Sequence, residues 1–256
     1  VWYQASPKSA GRIPLSVKDA DVYFKSWFAS ELEERSFTVD NSFFAEEVPS
    51  EAEEFFYIDS PLSCAEVCTI VNKESDNFLA EMLLFSLARQ KNLPATYKNG
   101  TRQIISVLAE HAIDLPSLSL LDGSGMSRSV KKNNVASPRD ICRLLSSLAC
   151  NPVADLYFDT LPVGGVDGSL KYRFVDPLFQ PQRVHAKTGF IYSAKSKKGS
   201  GASSLSGYLL LESNEVVVFS ILINFDRAVN SNTNNKRFKA LQEEWLKGLF
   251  LEKADE

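Results

Sequence analysis

The sequence predicts an α+β fold in which helices pack on an antiparallel sheet. Apolar residues recur at helical spacing through most of the first two thirds of the chain. Strand-like runs are confined to the last third, where Arg183–Thr188, Ser206–Leu211 and Val216–Ile223 succeed one another. One further helical pattern closes the chain. Helices first, then a meander and a terminal helix, segregate the two kinds of structure instead of alternating them.

Each element has its own signal. From Val17 to Arg35, Val22, Phe24, Trp27, Phe28 and Leu32 mark an amphipathic helix. Ser42–Tyr57 is acidic and aromatic and reads as short extended pieces with a loop. A helix runs from Pro61 through Cys64, Val67, Cys68 and Val71 to Lys73, breaks at Glu74-Ser75-Asp76-Asn77, and resumes at Phe78. That polar break lies between two helices, where side chains can face a cleft. Thr101–His111 is a further helix. The apolar run Leu118–Leu121 ends in the turn Asp122-Gly123-Ser124-Gly125. Pro138 opens a helix from Arg139 to Cys150, with Ser137 as its N-cap. Glu212-Ser213-Asn214-Glu215 turns between the last two strands. The closing helix carries Phe238, Leu241, Trp245, Leu246 and Leu249 on one face.

Composition bounds the function. The 256 residues suffice for a large core, and 44% hydrophobic with 23% charged residues suits an ordered globular protein. A net charge of −4 argues against nucleic acid, which needs a basic stripe. The one dense basic run, Lys195-Ser196-Lys197-Lys198, sits among Gly and Ser and reads as a loop tip. No apolar run approaches the roughly 20 residues of a membrane span. The four cysteines fall on helix faces in neither a disulfide nor a metal pattern, so no metal or cofactor is expected. The start at Val1, with Pro7, Gly11 and Pro14 soon after, reads as a linker over residues 1–16. Residues 17–256 then form part of a larger domain, helical over about 17–160, with the sheet and last helix over about 180–250.

Two short motifs carry the chemistry, Ser75-Asp76-Asn77 and Lys187-Thr188-Gly189. Singly they are weak: Ser-x-Asn arises by chance roughly once in a chain this long, and Lys-Thr-Gly in about one chain in twenty. The first alone could be a capped helix break and the second a strand entering a turn. Their order and setting raise their weight, because this pair, preceded by Ser-x-x-Lys, marks penicillin-recognising serine enzymes.

The surrounding residues resemble the class C low-molecular-mass penicillin-binding proteins, the D-alanyl-D-alanine carboxypeptidase/endopeptidase family. The resemblance runs through Asn72–Glu81, Asp122–Arg128, Leu161–Leu170, His185–Gly189 and Ser204–Tyr208, and covers the chain from about Val17 to Phe250. It implies the DD-peptidase fold shared with serine β-lactamases, a helical region beside an antiparallel sheet flanked by helices, incomplete in this piece. It also implies acyl transfer on peptidoglycan stem peptides ending in D-Ala-D-Ala, binding of β-lactams, and a periplasmic or otherwise extracytoplasmic location. Two stretches depart from the family: Ser129–Lys132 lengthens the link after the Asp-Gly-Ser-Gly turn, and Ser193–Gly201 is longer and more basic than usual.

The resemblance gives each motif residue a role. Ser75 relays a proton to the leaving amine, and Asn77 holds the substrate amide and orients the catalytic lysine. Asp76 braces the loop or faces solvent. Lys187 supplies charge for the substrate carboxylate, Thr188 a further donor, and Gly189 room beside the strand edge. The Phe190 N–H is a candidate oxyanion donor. Arg128 suits a stem-peptide carboxylate, although a surface arginine bracing a loop fits nearly as well. His111 at a helix end suits the dipole. His185 shares a strand face with Lys187 but has no acid partner in sequence.

The nucleophile motif is absent from its expected place. Only Ser129 has a lysine three residues on, Lys132, in an Asn-rich loop without the helical turn that would join the two side chains. The expectation is a truncated enzyme whose Ser-x-x-Lys segment lies N-terminal to Val1, inactive in isolation. The alternatives are a pseudoenzyme or binding module of the same fold, and a β-lactamase-like or esterase relative acting on another acyl compound.

Overall fold

The computed structural model describes residues 19–39, 60–126, 133–179, 182–193, 200–213, 215–226 and 231–254. The chain divides into two compact units, Val1–Asp59 and Ser60–Glu256. In the first, α1 (Ala20–Glu34) starts where the Asp19 side chain accepts from the Val22 N–H. The aromatic stripe read from the sequence is on this helix: Phe24 stacks on Phe28 at 5.6 Å, with Trp27 tilted beside it at 6.0 Å. The expected extended pieces over 42–57 and the linker over 1–16 lie outside the described residues.

The second unit contains helices α2 (Cys64–Lys73), α3 (Asn77–Gln90), α4 (Tyr97–Glu110), α5 (Pro138–Ala149), α6 (Ala154–Thr160) and α7 (Ser231–Ala254), with strands β1 (Val184–Ser193), β2 (Ser200–Leu210) and β3 (Val216–Asp226). The helix starts are chemically marked. Ser63 and Glu66 form a capping box at α2, Asp76 caps α3 through the Leu79 N–H, and Ser137 caps α5 ahead of Pro138. The helical reading of Thr101–His111 begins too late. Thr96 caps the element four residues earlier, and Tyr97-Lys98-Asn99-Gly100 has no apolar periodicity to reveal its first turn. The apolar run at Leu118–Leu121 contributes one bridge, Ser119 to Val135, and no strand. Helix α6 and the 3-10 turns Gly168–Leu170 and Pro177–Phe179 gave no periodic signal, being too short for one.

The sheet is a simple antiparallel meander in the order β1-β2-β3. Its strands outrun the sequence reading: Ser193 pairs with Ser200 and Gly201 with Tyr192. Part of the stretch read as a loop insertion is therefore hairpin ladder, because ladder pairing overrides the poor strand propensity of Ser and Gly. One face carries Val184, Ala186, Leu205, Leu209, Phe219 and Ile221, which form the main core with Leu246 and Phe250 of α7. The other carries Tyr208, packed with Leu145 and Leu161 and flanked by Tyr157 and Phe158. This alternation follows from the two-residue period of a strand. Arg173, 6% exposed, ties the connecting segment to α7. Its Nε donates to Glu243 at 2.7 Å, and its Nη2 to the Lys239 carbonyl and Gln242, each at 3.1 Å.

Tyr208 fixes α5 to the sheet by donating its hydroxyl to the Leu145 carbonyl at 2.9 Å within the second core. Burial raises that phenol far above its ordinary range, so it stays a donor. Replacing Tyr208 with Phe removes the buried hydroxyl that ties α5 to the sheet, while the Leu145 carbonyl keeps its place in the helix ladder. Equilibrium urea unfolding is expected to show a loss of about 1–2 kcal/mol with an unchanged m-value.

Candidate active site

Ser75 lies in the three-residue break between α2 and α3, with φ +58, a left-handed conformation uncommon for a non-glycine residue. Helix α2 ends at Lys73 with Glu74 as its C-cap, and Asp76 already caps the next helix. The chain must therefore reverse at Ser75, whose side chain remains exposed. Asp76 braces the loop by accepting from Leu79 N–H at 2.8 Å. Asn77 is the first residue of α3 and its side chain is exposed.

Lys187 lies 112 residues later on β1 and meets this break directly. Its ammonium donates to Ser75 Oγ at 2.8 Å and to the Thr188 carbonyl at 2.9 Å. Burial holds the Lys187 pKa below the ordinary lysine value. The two sequence motifs thus form one hydrogen-bonded pair. Thr188 Oγ1 donates to Ser169 Oγ at 2.9 Å.

Strand β1 is an edge of the sheet. Its outer side is occupied at the beginning, where Gly164 N–H donates to the Val184 carbonyl at 2.8 Å and Ala186 N–H to the Pro162 carbonyl at 3.0 Å. Alternate residues of a strand present their N–H to the same side. The N–H groups of Thr188 and Phe190 therefore also point away from β2, along a stretch unpaired among the described residues. A Cβ at Gly189 would collide with Ser204 Oγ on β2. A side chain there would require that hydroxyl to turn aside, a contact the sequence did not reveal. Phe190 is 37% exposed and stacks on Phe225 at 6.1 Å. Ser75, Thr188, Gly189 and Phe190 line a cavity of about 220 Å³ that continues to Arg173, Asn235, Lys239 and Gln242.

Arg128 and the Ser129–Lys132 stretch lie outside the described residues. The Asp-Gly-Ser-Gly turn before them is fastened to α3, where the Glu81 carboxylate accepts from Gly123 N–H at 2.9 Å and Ser124 hydroxyl at 2.6 Å. Two residue groups had no role in the sequence reading. Lys73 pairs with Asp167 at 2.5 Å, and Asn72 donates to Thr160 at 2.8 Å. All but Thr160 belong to blocks that the family resemblance already spanned, which was their only signal.

His111 caps α4 at its C-terminus. His185 is half-buried with its ring stacked on Phe158 at 3.9 Å, and its Nε2 meets the Gln182 carbonyl at 3.1 Å. Its Nδ1 is buried without a partner. The described residues contain no group of three or more His, Cys, Asp or Glu able to hold a metal, and no helix long and apolar enough to cross a membrane.

A model of the D-Ala-D-Ala carboxypeptidase 3 (S13) family matches residues 5–244. The chain is 29% identical over 174 residues to the D-alanyl-D-alanine carboxypeptidase DacB of Haemophilus influenzae, covering 66% of this chain and 33% of that protein. It is 31% identical over 165 residues to the D-alanyl-D-alanine carboxypeptidase of Actinomadura sp. strain R39, covering 62% of this chain and 28% of that protein. The crystal structure of H. influenzae penicillin binding protein 4 (dacB), complexed with a novel β-lactam, superposes with a TM-score of 0.74 at 24% identity. That match covers 92% of this chain and 52% of the other, and it shows the same DD-peptidase fold. The chain spans about a third of the length of these curated relatives.

The His185 environment yields a pH prediction. Burial is the main cause lowering its pKa from 6.5, opposed by the Gln182 carbonyl. With a depressed folded-state value, the unfolded chain takes up the proton first as the pH falls. The stability associated with the neutral ring is therefore fully present above pH 6.5 and is lost on acidification through the folded-state value. Urea unfolding between pH 8 and pH 5 should show this loss, and His185→Gln should remove its one-proton contribution to the slope.

Proposed function

The chain belongs to the D-Ala-D-Ala carboxypeptidase 3 (S13) family, and on that premise we propose that it builds the substrate-binding and proton-relay walls of a serine-type D-Ala-D-Ala carboxypeptidase/endopeptidase. The observation that supports this most directly is the Lys187–Ser75 hydrogen bond at 2.8 Å, which unites two motifs distant in sequence. The substrate in this reading is a peptidoglycan stem peptide ending in D-Ala-D-Ala, and β-lactams occupy the same cleft. Its place of action is extracytoplasmic, where such peptides are found.

A serine attacks the carbonyl between the two D-alanines, terminal D-Ala leaves, and water frees the acyl-enzyme. Ser75 hydroxyl accepts one proton and donates another, so it can pass a proton to the leaving amine while hydrogen-bonded to Lys187. The half-buried Lys187 charge draws the substrate carboxylate to this end of β1, with Thr188 hydroxyl as a second donor once Ser169 donates to it in turn. The substrate backbone lies along the open edge beyond Ala186, in the manner of an added strand. Phe190 N–H stabilises the oxyanion there, and Asn77 and Arg128 hold the acyl side of the peptide. The acylated serine is assigned to a Ser-x-x-Lys segment outside these 256 residues, and this piece alone is inactive. A binding module of the same fold is the second reading, favoured by the single Ser-x-x-Lys at Ser129, which lacks the family context.

Fluorescent penicillin is expected to label the full-length protein covalently, and a stem pentapeptide to release D-Ala. Ser75→Ala should slow acylation by about 100-fold, the scale of a lost proton-transfer group. Reversible penicillin binding without a covalent adduct would favour the binding module. An adduct on Ser129 would overturn the nucleophile assignment, and turnover of penicillin without D-Ala release would indicate a β-lactamase-like relative.

A further inference from the structure

The geometry points to Asp167 and Ser169 as a pair of positioning residues that clamp the Ser75 break against the Lys187-Thr188 strand. The inference rests on the reading of Ser75 and Lys187 as working parts of the site, and adds two residues to which that reading gives no task.

The two residues flank Gly168 in a short turn, and each reaches a different wall. Asp167 Oδ1 accepts from Val163 N–H at 2.9 Å, which fixes the carboxylate within its own loop. Its Oδ2 accepts from Lys73 Nζ at 2.5 Å, and Lys73 is the last residue of α2, two before Ser75. On the other side of Gly168, Ser169 Oγ accepts from the Thr188 hydroxyl. Gly168 has φ +51, and a Cβ there would lie 2.7 Å from the Lys73 carbonyl oxygen. The turn therefore sits directly on the end of α2. The same loop is hydrogen-bonded through Pro162 and Gly164 to the start of β1. One stretch of eight residues, 162–169, thus touches the element before Ser75 and the strand carrying Lys187.

Energy and geometry assign the clamp different weights. The Lys73 and Asp167 side chains are 20% and 35% exposed. A partly exposed ion pair contributes little to stability. Position is where it acts: Ser75 occupies a left-handed conformation, which persists only if neighbouring contacts impose it. Loosening either arm lets Ser75 or Thr188 drift, and with them the contact between Ser75 Oγ and Lys187. It also admits water to Lys187.

The test uses the whole protein and two independent readouts, penicillin acylation and the pH dependence of Lys187 amine reactivity, the latter followed by competitive labelling and peptide mass spectrometry. Asp167→Asn cuts one arm and Ser169→Ala the other. Each is expected to slow acylation about tenfold through misplacement, at an almost unchanged melting temperature. Each should also return the Lys187 titration toward the ordinary lysine value. Lys73→Arg, which keeps the ion pair, should stay close to wild type. Lys73→Met replaces Asp167→Asn if that variant does not fold. A Lys187 titration unmoved in both arm variants overturns the clamp, whatever happens to acylation. Wild-type protein that is never acylated overturns the proposed function, while the Lys187 titration still decides the clamp.

Discussion

The segment from Pro162 to Leu170 has to satisfy three neighbours at once, and most of the second unit is arranged around that requirement. It pairs with the first residues of β1, receives Lys73 from the end of α2, and sends Leu170 into the core beneath α7. Asp167 receives Lys73 with one carboxylate oxygen and braces the segment itself with the other. The positive φ of Gly165 and Gly168 permits the tight path, and at Gly168 a side chain would strike the α2 backbone. Such a loop has little freedom to shift. Helical and sheet regions are therefore joined through a rigid contact instead of a long flexible connection.

The sheet divides the remaining packing into two jobs. Its α7 face is mostly apolar and includes a connected buried network of Arg173, Gln242 and Ser203. Such a network is tolerated because the buried donors find partners, and it fixes the rotation of α7 as apolar contacts alone would not. The opposite face carries His185, Lys187 and Tyr208 in alternation with core residues. Tyr208 and His185 are absorbed into aromatic packing with Phe158, whereas Lys187 lies at the boundary where packing ends and the cleft begins. Its lowered pKa is the consequence of that position: a cation partly withdrawn from water, held by a hydroxyl and a carbonyl.

The five sequence blocks that carry the family resemblance acquire a physical meaning in the fold, because they touch one another. Glu81 of the first holds the glycine turn of the second. Lys73 of the first holds Asp167 of the third, and Ser169 of the third holds Thr188 of the fourth. Gly207 of the fifth lies opposite Ala186, so close that a Cβ would overlap the His185 carbonyl. Family blocks of this kind record mutual constraint across a cleft as well as chemistry within it.

The sequence by itself determined the segregation of helices from sheet, the cap at Ser137, the helix break at Ser75 and the strand under Lys187. These are local properties, set by periodicity, capping chemistry and turn residues within a few positions of one another. It did not reveal the first turn of α4, the short α6 or the full reach of the β1–β2 ladder, where Ser193 and Gly201 are placed by their ladder partners against weak local preference. Nor could it show that Lys187 meets Ser75, or that Asp167 and Ser169 hold the two motifs together. Those contacts join residues separated by 112, 94 and 19 positions in the cases of Lys187–Ser75, Lys73–Asp167 and Thr188–Ser169. Only the tertiary structure decides them, because it sets which edge of the sheet faces which end of a helix, and no pattern along the chain encodes that distance.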